Sequence, residues 1–255
     1  MKNFLFKKFY SFRRKLLTVI TPEFIWPKYV NIDGAKIKVR NEPYTFGIKL
    51  SLTKRLYEGP ERNLLHNKDI SGESVIELGG SIGVLTAYLA NKVGEKGKVI
   101  SVEASKRVSA HSRMWLEKNQ NTKIFTGYAF PVSKIHNNIK INNFDDSGNS
   151  MQGIVNYELY EGSGYNNSLI YDIKKISDLG GIIPTILICD IEGSEQIIIE
   201  QKPDFPLSLK FILIELHPEI YGKIINDKII RTIEQEGFLL IDSEGNVLAF
   251  ERSLV

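Results

Sequence analysis

The sequence predicts an α/β protein built on a mostly parallel sheet. Three observations predict it. From residue 74 onward, strand-length apolar runs alternate with stretches of helical periodicity; a glycine-rich turn joins the first of those strands to its helix; and the chain closes on two strands around a tight turn. At 255 residues with 42% hydrophobic content the chain is long enough for one sizeable domain with a buried core.

The elements follow in order. Residues 1–20 place Leu5, Phe9, Phe12, Leu16 and Val19 at spacings of three and four, which predicts an amphipathic helix. Lys2, Lys7, Lys8, Arg13, Arg14 and Lys15 precede the first acid, Glu23, so this helix is cationic. It suits either an anionic membrane surface or a partner, or packs on its own domain with a solvated basic face. Pro22 and Pro27 end it, giving a unit of residues 1–30 ahead of a domain over 31–255. "AKIKVR" (35–40) alternates as a half-buried strand, and residues 52–68 read as helical on either side of "EGP". "SVIEL", a helix over 82–92, "KVISVEA", a helix over 105–119 and "KIFTGYAF" then give strand–helix–strand–helix–strand. Residues 133–168 lose the rhythm and predict an inserted hairpin or lid. "PTILICD" and "LKFILIELHP" are strands, with helices starting at "GSEQIIIEQ" and over 223–236, and "GFLLIDSEGNVLAFER" closes as two strands.

The glycine turn sits in "VIELGGSIGVLTAYLA" (75–90). A dinucleotide-binding G-x-G-x-x-G would need glycine at 81 and 84, where the chain has Ser81 and Val84. The spacing present is Glu77, Gly79, Gly83, and a carboxylate at 77 repels phosphate but accepts from an ammonium group. Glu103 ends the next strand, where an acid of an open parallel sheet accepts from ribose hydroxyls. Together these acids describe a nucleoside with a cationic, amino-acid-like tail, S-adenosylmethionine, held by Glu77, Gly79, Gly80, Ser81, Gly83, Glu103 and Ala104.

"VIELGGSIGVLTAYLA" followed by "VISVEAS" resembles the first two motifs of class I S-adenosylmethionine-dependent methyltransferases. "YEGPE" (57–61), "DIEGSE" (190–195) and "ILIELHP" (212–218) resemble the FkbM family within that class, over roughly residues 45–250. The resemblance implies a Rossmann-like fold: a mostly parallel seven-stranded sheet with helices on both faces and a C-terminal antiparallel hairpin. It also implies O-methylation of sugars in polysaccharides or glycosylated metabolites. The family's glycine motif more often reads Asp-x-Gly-Ala-Asn-x-Gly, so Glu77, Gly80 and Ser81 depart from it, and Ile188 stands where relatives commonly carry a lysine.

Asp190 and Glu192 follow one strand while Glu215 and His217 close the next, so all four converge at one sheet edge. Asp190, His217 and Glu192 are the candidate catalytic residues, with His217 a general base or a capping residue before Pro218. Asp190 and Glu192 with His217 or Glu215 could also hold Mg²⁺ or Mn²⁺; a metal-free site is the alternative. Glu195 and Glu200 read as first-turn and surface residues of the helix after Gly193. Tyr157, Tyr160, Tyr165 and Tyr171 form either an aromatic lid over a sugar or a plain surface hairpin. The chain past the basic start carries 27 Lys+Arg against 30 Asp+Glu, which disfavours nucleic acid, although an RNA methyltransferase anchored by the basic helix stays open, as does a non-catalytic scaffold. The single Cys189 gives no disulfide framework, and a cytoplasmic protein is expected, with peripheral contact at the inner membrane surface if the helix binds lipid.

Overall fold

The computed structural model describes residues 21–42, 44–116, 119–135, 138–144, 155–160 and 169–253. The helix expected over 1–20 lies outside them. No helix among the described residues is long and apolar enough to cross a membrane.

The entry to the domain is a hairpin, β1 (Tyr29–Ile32) and β2 (Ala35–Lys38), turned at Asp33 and Gly34 in left-handed backbone. Two helices follow, α1 (Phe46–Thr53), whose first turn is capped by the Thr45 hydroxyl, and α2 (Gly59–His66). The first half of the sheet comprises β3 (Ser74–Leu78), α3 (Val84–Val93), β4 (Lys98–Glu103), α4 (Lys106–Leu116) and β5 (Thr122–Thr126). Short strands β6 (Tyr128–Ala129) and β9 (Ile170–Tyr171) pair in parallel, and β7 (Asn138–Phe144) and β8 (Val155–Tyr160) form an antiparallel hairpin between them. The second half runs α5 (Ile173–Gly180), β10 (Ile186–Cys189), a 3-10 turn (Ser194–Gln196), α6 (Ile197–Gln201), β11 (Phe211–Glu215), α7 (Pro218–Tyr221), α8 (Lys223–Gln235), β12 (Phe238–Glu244) and β13 (Val247–Arg252).

The central sheet has seven strands in the order β12-β13-β11-β10-β3-β4-β5. Only β13 runs against its neighbours, pairing antiparallel with both β11 and β12. The sheet is Rossmann-like and mostly parallel, with a C-terminal antiparallel pair, as expected. The apolar runs are continuous because the strands are covered on both faces. Ile76, Leu78, Ile100, Val102, Leu187, Cys189, Ile212 and Ile214 pack against α5, α6 and α8, while Val75, Val99, Ile186, Ile188 and Leu213 pack against α2 and α3. The entry hairpin closes a third cluster with Val84, Ala87, Val108 and Leu116. Strand order reverses between β3 and β10, and in open α/β sheets a ligand crevice lies outside the strand ends at such a point.

Candidate active site

The register brings four strand ends into one row. Leu78 lies opposite Cys189 on one side and Val102 on the other, and Cys189 opposite Ile214, so Gly79, Glu103, Asp190 and Glu215 all emerge at the carboxyl edge of the sheet. Gly79 has φ +88°, and a Cβ there would lie 1.6 Å from the carbonyl oxygen of Asp190. The turn after β3 therefore passes directly against the turn after β10. Gly83 serves packing instead, since its missing side chain makes room for Leu116, Ser112 and Trp115 of α4.

One side of the cleft is made of carboxylates held by backbone N–H groups. Ser81 N–H donates to Glu103 Oε2 at 2.9 Å and Ser105 N–H to Oε1 at 2.7 Å, which fixes Glu103 across the glycine turn. Tyr57 and Ser81 share a hydroxyl–hydroxyl hydrogen bond of 2.9 Å. Leu85 N–H, in the first turn of α3, donates to Glu58 Oε2 at 2.6 Å. The helix N-terminus that binds pyrophosphate in dinucleotide folds is here taken by the chain's own carboxylate. Burial, with the charges of Glu77 and Glu61, pushes Glu58 well above the ordinary carboxylate range. Glu77 lies beneath the turn, accepting from the Thr86 hydroxyl at 2.5 Å, and burial raises it to about 6 against the lowering effect of its bonds to Thr86 and Ser101. Glu58, Ser81 and Glu192 all adopt left-handed backbone at the cleft, the kind of local strain that collects at functional sites.

The other side is a crowd of acids. Asp190 and Glu192 from the β10 end meet Glu215 from β11 and Glu61 from the first turn of α2. Burial and the charges of Glu192 and Glu215 push Asp190 well up, and burial with the charge of Glu61 raises Glu215 to about 7. Behind them, His217 Nδ1 contacts Glu195 Oε1 at 3.2 Å, and Nε2 lies 3.5 Å from Glu192 and 3.7 Å from Asp190. Burial opposes charge on this imidazole, but the bond to Glu195 and the neighbouring acids prevail and raise it to about 9. The ring thus sits among acids, with Nδ1 toward Glu195 and Nε2 toward Glu192 and Asp190.

Of the residues expected to hold the cofactor, Gly79, Ser81, Glu103 and Ala104 line the cleft, whereas Glu77, Gly80 and Gly83 form the layer under it. Asp190, Glu192 and Glu215 line it too, and His217 stands behind them, 5% exposed. Glu195 differs from expectation. It is fully buried, because Gly193 in left-handed backbone and the 3-10 turn aim its carboxylate inward to accept from the N–H groups of Ile191 and Gly193. Glu200 is exposed, as expected, and accepts from Tyr157 at 2.8 Å. Tyr171 stacks on Phe125 and Tyr157 packs edge-on to Phe130, so both belong to the interior and not to an aromatic platform. The side chain of Tyr160 and all of Tyr165 lie outside the described residues. Sequence reasoning missed Tyr57, Glu58 and Glu61 as site residues, although "YEGPE" was the signal available.

The sequence profile of the family described as Protein-L-isoaspartate(D-aspartate) O-methyltransferase (PCMT) matches residues 63–136, the segment that contains β3 to β5. A search of curated proteins found no match. Among solved structures, Aeropyrum pernix fibrillarin in complex with S-adenosyl-L-methionine is similar at 13% identity and a TM-score of 0.42, over 71% of this chain and 66% of that one, just under two thirds of its length. A SAM-dependent methyltransferase from Aquifex aeolicus is similar at 13% identity and 0.39, over 75% and 87%. The precorrin-6y C5,15-methyltransferase of Geobacter metallireducens is similar at 11% identity and 0.41, over 71% and 80%.

Proposed function

We propose that the protein is an S-adenosylmethionine-dependent O-methyltransferase whose acceptor is a hydroxyl of a sugar, glycan or glycosylated metabolite. The observation that carries the reading is one cleft, at the reversal of strand order, lined on one side by Ser81, Glu103 and Ala104 and on the other by Asp190, Glu192 and Glu215. The residues fit this cofactor better than a dinucleotide: acids surround the cleft, and Glu58 occupies the helix N-terminus where a phosphate would bind. When bound, S-adenosylmethionine supplies a methyl group on a sulfonium, and transfer is an in-line displacement by the acceptor oxygen.

The chain's own part is to bind, align and receive a proton. Glu103, fixed by Ser81 and Ser105, orients the ribose. Asp190, facing the cleft from the opposite strand end, accepts the hydroxyl proton of the acceptor, and Glu192 flanks it. His217 is a positioning residue that holds these acids from behind. The O-methyltransferase description of the family matching residues 63–136, and the likeness of "YEGPE", "DIEGSE" and "ILIELHP" to the FkbM family, support an oxygen acceptor. The cleft tells against RNA, since acids line it and none of its described lining residues is a lysine or arginine that would meet a phosphate.

Calorimetric titration with S-adenosylmethionine and S-adenosylhomocysteine tests the reading. Micromolar binding is expected, weakened about tenfold or more in Glu103→Ala through loss of charge-assisted bonds worth roughly 1.5–3 kcal/mol. Absence of binding to either ligand overturns it.

A further inference from the structure

We propose that Glu61, Asp190 and Glu215 form a binding site for a hard divalent cation, Mg²⁺ or Mn²⁺, on the acceptor side of the cleft. Each residue brings one carboxylate oxygen, and the three oxygens lie within 4.8 Å of one another. An octahedral ion with ligands at about 2.1–2.4 Å has opposite ligands about 4.2–4.8 Å apart, so the trio needs only a small contraction to bind one. All-oxygen, all-carboxylate sites select hard cations over zinc or copper.

A cluster of acids alone would not make a site, but Glu61 adds an independent observation. It is only 6% exposed, yet its Oε2 is buried without a hydrogen-bond partner. A buried carboxylate oxygen with nothing to accept from is costly unless a proton or a cation neutralises it. The nearest basic side chain in sequence does not, because Arg62 is turned onto Asp33 and the carbonyls of Tyr57 and Arg55.

A second set of ligand atoms, from Asp190, Glu192 and His217, is as compact, but its imidazole is already engaged, held by Glu195 through Nδ1 and facing Asp190 and Glu192 through Nε2. Glu61 Oε2 has no such partner. On the proposed function, from which this consequence alone follows, a cation there would bind the acceptor's oxygen and favour transfer of its proton to the Asp190 oxygen that does not ligate, as the oxygen takes the methyl group from the sulfonium.

The test is a titration of the purified full chain, stripped with EDTA and dialysed, with MnCl₂, following free Mn²⁺ by electron paramagnetic resonance. One ion per chain is expected, displaced by excess Mg²⁺, with affinity reduced at least tenfold in Glu61→Gln and in Glu215→Gln and unchanged in Glu200→Gln. No stoichiometric Mn²⁺ binding by the wild type, or wild-type affinity in either glutamine variant, overturns the proposal. Circular dichroism checks folding of each variant, and if one fails to fold, the other with the wild-type stoichiometry decides. S-Adenosylmethionine binding is measured in EDTA on the same samples. Its loss with Mn²⁺ binding retained overturns the methyltransferase reading alone, and the reverse overturns the cation site alone.

Discussion

The two walls of the cleft handle buried charge in opposite ways. On the β3–β4 side each carboxylate has a local donor: Glu103 has the N–H groups of Ser81 and Ser105, Glu58 that of Leu85, and Glu77 the hydroxyl of Thr86. On the β10–β11 side, oxygens of Glu61, Asp190 and Glu195 are buried with no hydrogen-bond partner. The first wall is preorganised by the chain and will hold a ligand without rearranging. The second gathers its acids around the His217 imidazole and leaves the buried Glu61 oxygen without a donor.

That contrast can be broken most severely at the contact the walls share. Gly79→Ala puts a Cβ into the Asp190 carbonyl from a left-handed backbone position, and both groups are main chain, so neither can rotate away. Destabilisation above about 4 kcal/mol is expected in urea unfolding, or failure to fold. Gly80→Ala, whose Cβ would meet the rotatable Ser101 side chain, should cost less, and equal costs would mean that the strand-end contact is soft.

Glu195→Ala sharpens the comparison on one wall only. It leaves the His217 imidazole without its bonded partner, and about 3 kcal/mol of stability should be lost. Affinity for S-adenosylmethionine should stay within about twofold, because the opposite wall is untouched; a parallel loss would show that the walls are not independent.

The smallest expected effect is a pH slope from Glu77. Its folded carboxyl titrates at about 6, above an unfolded value of about 4.3, so the folded state holds the proton more tightly. This contribution is full below about pH 4.3 and is lost as pH rises through about 6, a change of about 2 kcal/mol. Glu77→Gln should therefore gain about 2 kcal/mol relative to the wild type between pH 4 and pH 7 in urea denaturation. A difference that does not vary with pH would place the buried charge elsewhere.

How much of this was legible depended on whether the signal was local. From residue 74 to 126 each strand and helix is written in adjacent residues, and the expected alternation matches β3, α3, β4, α4 and β5 to within a few positions. Glu103 was readable because a strand end is a place the sequence marks. Glu77 was readable as unusual, but its direction was not: the same glycine turn that exposes Ser81 buries Glu77 against Thr86 and Ser101. Its place after Gly193 marks Glu195 as a first-turn surface residue of a helix, whereas a 3-10 turn there rotates it into the core. Glu61 depends on a contact between α2 and strand ends about 130 residues later in the chain, which no local pattern encodes. The β6–β9 pair, two residues on each side, is too short to leave a periodicity.

The contact of Gly79 with the Asp190 carbonyl also acts as a ruler. Side chains around the cleft can exchange shape and charge, and the acceptor can change with them, but the span between donor wall and acceptor wall is set by one backbone resting on another. On the proposed function, whatever molecule the cleft takes must react across a distance that the backbone, not the side chains, fixes.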